Sequence, residues 1–167
     1  MSPDRVSSSS AGRVELPTAD ATREFGRLLA GVLHRGDVLV LTGDLGAGKT
    51  TFTQGLGQGL GVRGPVTSPT FVLARVHPSL VGGPALVHVD AYRLGSAIEL
   101  DDLDLDADLD TAVTVVEWGH GVAEQLSTDR LEITLTASPA GGNLRIAQVT
   151  AVGPRWDGVV IPMATDG

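Results

Sequence analysis

The twelve lysines and arginines of the chain include one lysine, Lys49, at the seventh position of GDLGAGKT, residues 43–50. That octapeptide is an unbroken match to the phosphate-binding pattern G-x-x-x-x-G-K-[ST]. A sequence that writes arginine wherever a long cation will serve uses lysine where arginine fails. In a P-loop the backbone amides wrap the phosphates closely. A slim ammonium reaches the β/γ oxygens there, and a planar guanidinium fork does not fit. The hydroxyl of Thr50 is placed for a second task, coordination of Mg²⁺ between the β- and γ-phosphates.

Chemistry at a bound nucleotide also needs an acid near the metal and a group that orients the attacking water, both carried at the carboxyl ends of strands beside the loop. Asp90 ends ALVHVD and Glu117 ends TVVE, each after an apolar run. Each is a candidate metal ligand and catalytic acid. Either alone can equally be a solvated strand end or a turn cap; two of them beside a P-loop shift the balance toward the metal. His88, two residues before Asp90, reads as a structural strand histidine. Arg93 can pair with phosphate or anchor the acidic stretch that follows it. Trp118, next to Glu117, is one of two tryptophans and is placed to shape the site.

Several elements must position these groups. DVLVLT, residues 37–42, is an apolar, β-branched run that reads as a buried strand, and KTTFTQGLGQGL, residues 49–60, reads as the helix opening at the loop. Strand, glycine loop and helix therefore stand in the required order, with the unpaired helix amides facing the anion. Gly55, Gly57 and Gly59 are poor helix formers, and close packing of this helix on the sheet is expected to explain them. Residues 18–34 carry Phe25, Leu28, Leu29, Val32 and Leu33 at helical spacing, with Gly36 placed to stop the helix. FVLARVH (71–77) and ALVHVD (85–90), separated by PSLVGGP, form an expected antiparallel hairpin. Further strands are expected at residues 113–117, 131–136 and 144–152, the last two joined as a hairpin across SPAGGN. The fold class that follows is α/β: a P-loop NTPase-like mixed β-sheet flanked by helices, in a single domain. Residues 1–12 are expected to be a disordered tail, 13–153 the P-loop domain and 154–167 a C-terminal tail.

Bulk properties narrow the classes. With 167 residues, 42% of them hydrophobic, and no apolar run long enough to span a bilayer, the chain reads as one soluble domain without a membrane association. No cysteine is present, so disulfides, thiolate zinc sites and cysteine nucleophiles are excluded. The first residues lack the apolar core of a secretory signal, and a cytoplasmic location is expected. A formal charge of −8 disfavours direct binding of DNA or RNA. The run ELDDLDLDADLD, residues 99–110, repeats aspartate but fits no calcium loop. From Asp104 the sixth and twelfth positions are Leu109 and Val115, and from Asp102 they are Ala107 and Val113, where glycine and glutamate are required.

The base-reading element of a guanine-specific GTPase, N/T-K-x-D, needs a second lysine, and no D-x-x-G switch is present; adenine nucleotide is favoured. A small-molecule kinase would need arginines gathered on a lid, and the arginines here are scattered. Taken in order and spacing, GDLGAGKTTF (43–52), SPTF (68–71), HVDAYR (88–93) and VEW (116–118) resemble the TsaE family, also called YjeE, over roughly residues 17–152. Those proteins are bacterial ATPases of tRNA threonylcarbamoyladenosine (t6A) biosynthesis.

The resemblance implies a weak ATPase that binds ATP/ADP and Mg²⁺, joins the TsaB and TsaD proteins, meets tRNA only through them, and resets the transferase by hydrolysis. A nucleotide-loaded docking switch without essential hydrolysis, or a stand-alone small-molecule kinase, is the alternative. By position the resemblance gives the phosphate cradle to Leu45, Gly46, Ala47, Gly48, Lys49, Thr50 and Thr51. It gives the Mg²⁺ ligands as Thr50 and Glu117, with Asp90 supporting the metal shell or orienting water. Thr70 is implied as a γ-phosphate switch, Trp118 as a packing partner of the site, and Asp20, Thr22 and Gly141 as adenine-side contacts. The family often places proline after the Glu-Trp pair; this chain has Gly119.

Overall fold

A computed structural model describes residues 10–43, 46–64, 74–90, 111–117 and 128–162. Among them are seven strands and two α-helices. In chain order these are β1 (Ser10–Leu16), α1 (Ala19–Leu29), β2 (Val38–Thr42), α2 (Lys49–Leu60), β3 (Ala74–His77), β4 (Ala85–Asp90), β5 (Ala112–Glu117), β6 (Arg130–Ala137) and β7 (Arg145–Val152). The strands make one sheet in the order β1-β7-β6-β2-β5-β4-β3. β6, β2, β5 and β4 run parallel, while β7 and β1 on one side and β3 on the other are antiparallel to their neighbours. The mixed sheet and both expected hairpins are present.

The parallel centre explains why the middle strands read as unbroken apolar runs. β5 is buried at every position, and Val38 to Leu41 of β2 are buried on both faces. One face, carrying Leu39, Leu41, Leu86, Val113, Val115, Leu131 and Ile133, packs against Phe25 and Leu29 of α1 and Phe52, Leu56 and Leu60 of α2. Both described helices thus lie on that face rather than one on each. The edge strand β1 alternates instead: Val14 and Leu16 are buried while Arg13 and Glu15 are not.

Thr18 starts α1, its side-chain oxygen accepting from the Ala21 backbone N–H at 3.0 Å. The helix ends at Leu29, earlier than the periodicity predicts, and passes through a 3-10 turn at Ala30–Val32 to Leu33, which is extended. Leu33 is nevertheless buried, so the apolar spacing continues past the end of the helix.

Gly55 and Gly59 of α2 serve the neighbouring helix and not the sheet, contrary to expectation. A Cβ on Gly55 would lie 1.9 Å from the Arg23 carbonyl oxygen, and one on Gly59 would lie 2.6 Å from Ala30 Cβ. Gly26 on α1 answers them, with a Cβ there 2.3 Å from the Phe52 carbonyl oxygen. The two backbones touch, and the Phe25 and Phe52 rings meet beside that contact with centroids 5.7 Å apart.

Both expected tails contribute to the folded unit. Ser10, Ala11 and Gly12 pair with β7 as the start of β1. A 3-10 turn at Pro154–Trp156 places Trp156 in the core at 2% exposure. There the Arg155 guanidinium grips Asp37 through two bonds of 3.0 and 2.9 Å and donates to the Val32 carbonyl at 2.9 Å. No described helix is long and apolar enough to cross a membrane.

Candidate active site

The parallel register sets the site. Leu41 of β2 lies opposite Glu117 of β5, and Glu117 lies opposite Asp90 of β4, so three neighbouring strands finish together. The chain leaves β2 at this edge, where strand order passes to β6 on one side of β2 and to β5 on the other. Ligands of open parallel sheets bind at such a point.

The loop after β2 is shaped by glycine at the positions that need it. Gly46 and Gly48 have φ of 84° and 101°, the left-handed region that other residues avoid. A Cβ on Gly43 would lie 2.7 Å from the Leu135 carbonyl oxygen of β6. Gly48 is the N-cap of α2 and, having no side chain, caps none of its amides. The N-terminus of α2 carries the partial positive charge that suits an anion. Lys49 and Thr50 are the first two residues of this helix, Thr50 exposed, and Ala47 is buried.

Lys49 points to the sheet edge, its Nζ 3.5 Å from Glu117 Oε1, with both side chains about nine-tenths buried at 11% and 9% exposure. The other oxygen, Glu117 Oε2, is in hydrogen-bond contact with His88 Nε2, and the His88 side chain is wholly buried. Burial raises the affinity of Glu117 for a proton. The hydrogen bond from His88, the His88 charge and Lys49 more than reverse this, and the carboxyl sits below its ordinary value.

Two further elements close on the loop. The Thr22 side chain of α1 is buried, and its Cγ2 would stand 3.6 Å from a Cβ on Gly48. Arg145, first residue of β7, donates from Nε to the Gly46 carbonyl at 3.2 Å and from Nη1 to the Gly142 and Leu144 carbonyls at 2.9 and 3.0 Å. It ties the β6–β7 turn, which contains Gly141 with φ of 85°, to the P-loop.

The structure thus brings Gly46, Ala47, Gly48, Lys49, Thr50, Thr51, Thr22, Glu117 and the Gly141 turn to one edge. Asp20, also in the first turn of α1, is exposed and pairs with Arg23 at 2.8 Å. Asp90 is at the edge by register, and its side chain lies outside the described residues. Leu45, Thr70 and Trp118, together with Arg93 and the acidic run 99–110, also lie outside them.

Two contributors go beyond the sequence reading. His88, read there as structural, reaches Glu117. Its signal was the two-residue spacing from Asp90, which puts both on one face of β4. Arg145 carries no local signal, because its partners are carbonyls brought near by the fold.

Magnesium of the kind that travels with nucleotide phosphates takes one or two carboxylates and few other protein ligands. The donors here are of that kind, hard oxygens on Glu117 and Thr50 at one edge. Among the described residues no group of three histidine, aspartate or glutamate side chains forms a ready-made metal cage.

The family described as threonylcarbamoyl adenosine biosynthesis protein TsaE matches residues 16–144. The chain belongs to the TsaE family. The tRNA threonylcarbamoyladenosine biosynthesis protein TsaE of Streptomyces coelicolor is 57% identical over 137 residues, covering 80% of this chain and 93% of that protein. The TsaE protein of Mycobacterium tuberculosis H37Rv is 51% identical over 138 residues, 78% of this chain and 82% of the relative. That of Bacillus subtilis is 42% identical over 139 residues, 83% and 84% of the two chains. The crystal structure of Bacillus subtilis YdiB superposes with a TM-score of 0.67 at 35% identity, covering 89% of this chain and 90% of that one. The TsaE match begins at the last residue of β1 and ends just before Arg145, so it spans the P-loop, the strand-end acids and the β6–β7 turn.

Proposed function

We propose that this TsaE-family chain is a P-loop ATPase that serves formation of t6A in tRNA, acting with the TsaB and TsaD proteins and resetting their complex by hydrolysis. One observation carries the reading. A helix N-terminus with glycine at its N-cap, a glycine loop in left-handed backbone, the single lysine and a buried carboxylate converge at the carboxyl edge of the parallel strands. Each part has a task. The amides of the loop and of the first turn of α2 hold the phosphates, and Lys49 neutralises their β/γ oxygens. Thr50 and Glu117 hold Mg²⁺, which when bound neutralises charge that builds on the phosphates in the transition state. Asp90, in register with Glu117, supports that shell or orients water. Thr22 and the Gly141 turn flank the adenine side.

The acidic character of the protein, −8 at neutral pH, supports a role in which partners hold the tRNA. Steady-state ATP hydrolysis measured alone and with TsaB and TsaD tests the reading. Stimulation by the partners that Lys49→Ala abolishes is the expected result. Unchanged hydrolysis in Lys49→Ala would remove the assigned site. Binding without stimulation would replace the ATPase by a nucleotide-loaded docking switch.

A further inference from the structure

His88 sits at the centre of β4 with no exposed surface, an expensive place for an imidazole unless its polar atoms are engaged. Nε2 is engaged by Glu117 Oε2. Nδ1 is buried and has no hydrogen-bond partner among the described residues. The ring therefore makes its one side-chain hydrogen bond to the carboxylate proposed to hold the metal. A proton on Nε2 satisfies that bond.

Geometry explains why the carboxylate needs this partner. Glu117 ends its strand, where χ angles are free to turn the group toward solvent or toward Lys49. Its two oxygens are instead divided, Oε2 to His88 from inside the sheet edge and Oε1 to Lys49 at the mouth of the P-loop. His88 lies opposite Val115 in the β4–β5 register, two residues before Glu117, and so reaches the carboxylate from behind.

We propose that His88 is a positioning residue for Glu117. By donating from Nε2 it fixes one carboxylate oxygen and keeps the other aimed at the phosphate and metal site. The proposal rests on the P-loop ATPase reading above. Outer partners that orient a ligating carboxylate change metal affinity or activity by about 10- to 100-fold when removed.

The test uses the full chain and a fluorescent, non-hydrolysable ATP analogue, with affinity measured in EDTA and in saturating Mg²⁺. His88→Phe fills the ring volume without a donor, His88→Gln retains one, and Glu117→Gln is the benchmark. Binding in EDTA reports an intact P-loop in each variant. The expected result is a Mg²⁺ enhancement of affinity reduced about 10-fold in His88→Phe and largely restored in His88→Gln, with binding in EDTA held within about 3-fold. Partner-stimulated hydrolysis falls in kcat more than it rises in KM for His88→Phe. If Glu117→Gln loses the Mg²⁺ enhancement while His88→Phe keeps it, the positioning role is wrong and the ATPase site stands. If Glu117→Gln keeps it, the metal assignment of Glu117 falls and the role of His88 falls with it. Equal loss in His88→Phe and His88→Gln would also overturn the proposal, because a retained donor would then do nothing.

Discussion

Lys49 Nζ stands 3.5 Å from Glu117 Oε1, so the cation proposed for the nucleotide phosphates is already neutralised by the carboxylate proposed for the metal. An incoming triphosphate competes with Glu117 for Lys49, and without Mg²⁺ the two anions also repel. Removing the carboxylate relieves both effects. Glu117→Ala is expected to bind ATP about 3- to 10-fold more tightly in EDTA and to lose about 100-fold or more of its hydrolysis in Mg²⁺. Isothermal titration in EDTA and a coupled hydrolysis assay check the two halves. Weaker binding in EDTA would mean that Glu117 supports the loop more than it competes for the lysine.

Arg145 supplies three bonds to backbone carbonyls, one of them on Gly46 and another on Gly142. Without it the β6–β7 turn and the P-loop lose the side-chain tie between them. Arg145→Ala is expected to cost about 1–2 kcal/mol of stability, since the carbonyls it leaves are exposed enough to take water. Nucleotide affinity should weaken about 3- to 10-fold, because a loosened loop must be ordered on binding. Urea denaturation and analogue titration read the two effects. A stability loss with unchanged affinity would confine Arg145 to the turn.

Much of this arrangement was legible in the residues. The glycine loop, the helix opening on Lys49 and the two strand-end acids follow from type and spacing, because backbone conformation and strand termination are local. β1 was not legible: of residues 12–16 only Val14 and Leu16 are buried, and its pairing partner β7 lies more than a hundred residues away. Trp156 was hidden for a related reason: Arg155 beside it pairs with Asp37, 118 positions away in sequence. His88 and Arg145 mark the limit of the site reading. A buried histidine and a surface arginine look ordinary until the fold supplies a carboxylate to one and carbonyls to the other.

The helix–helix contact gives a prediction in which two effects oppose. Replacing a mid-helix glycine by alanine favours the helix by about 1 kcal/mol. At Gly55 the added Cβ would lie 1.9 Å from the Arg23 carbonyl oxygen, which no side-chain adjustment relieves. Forced separation of close-packed elements costs about 1–3 kcal/mol or more, so Gly55→Ala is expected to be destabilising. Gly31 is the control: a Cβ there meets nothing within 4 Å, and Gly31→Ala should be neutral or slightly stabilising. Thermal denaturation of the two variants decides it, and a Gly55→Ala protein as stable as the parent would refute the direct backbone contact.

Stability should also report the state of Glu117. Its carboxyl lies below the ordinary value of 4.5 in the folded protein, since His88 and Lys49 outweigh the effect of burial. In the unfolded chain those partners are lost, and the group returns to 4.5. Above that value both states are ionised, and the stabilisation that the pairing gives the charged form is fully present. As the pH falls through 4.5 the unfolded chain takes up the proton first, and the stabilisation is lost progressively until the folded carboxyl is protonated too. Glu117→Gln has no such proton to bind. The difference in unfolding free energy between parent and Glu117→Gln should therefore be flat above about pH 6 and shift against the parent as the pH drops from about 5 to about 3. Urea midpoints collected across that range measure it. A difference independent of pH would show that the Glu117 carboxylate is not held in its charged form by His88 and Lys49.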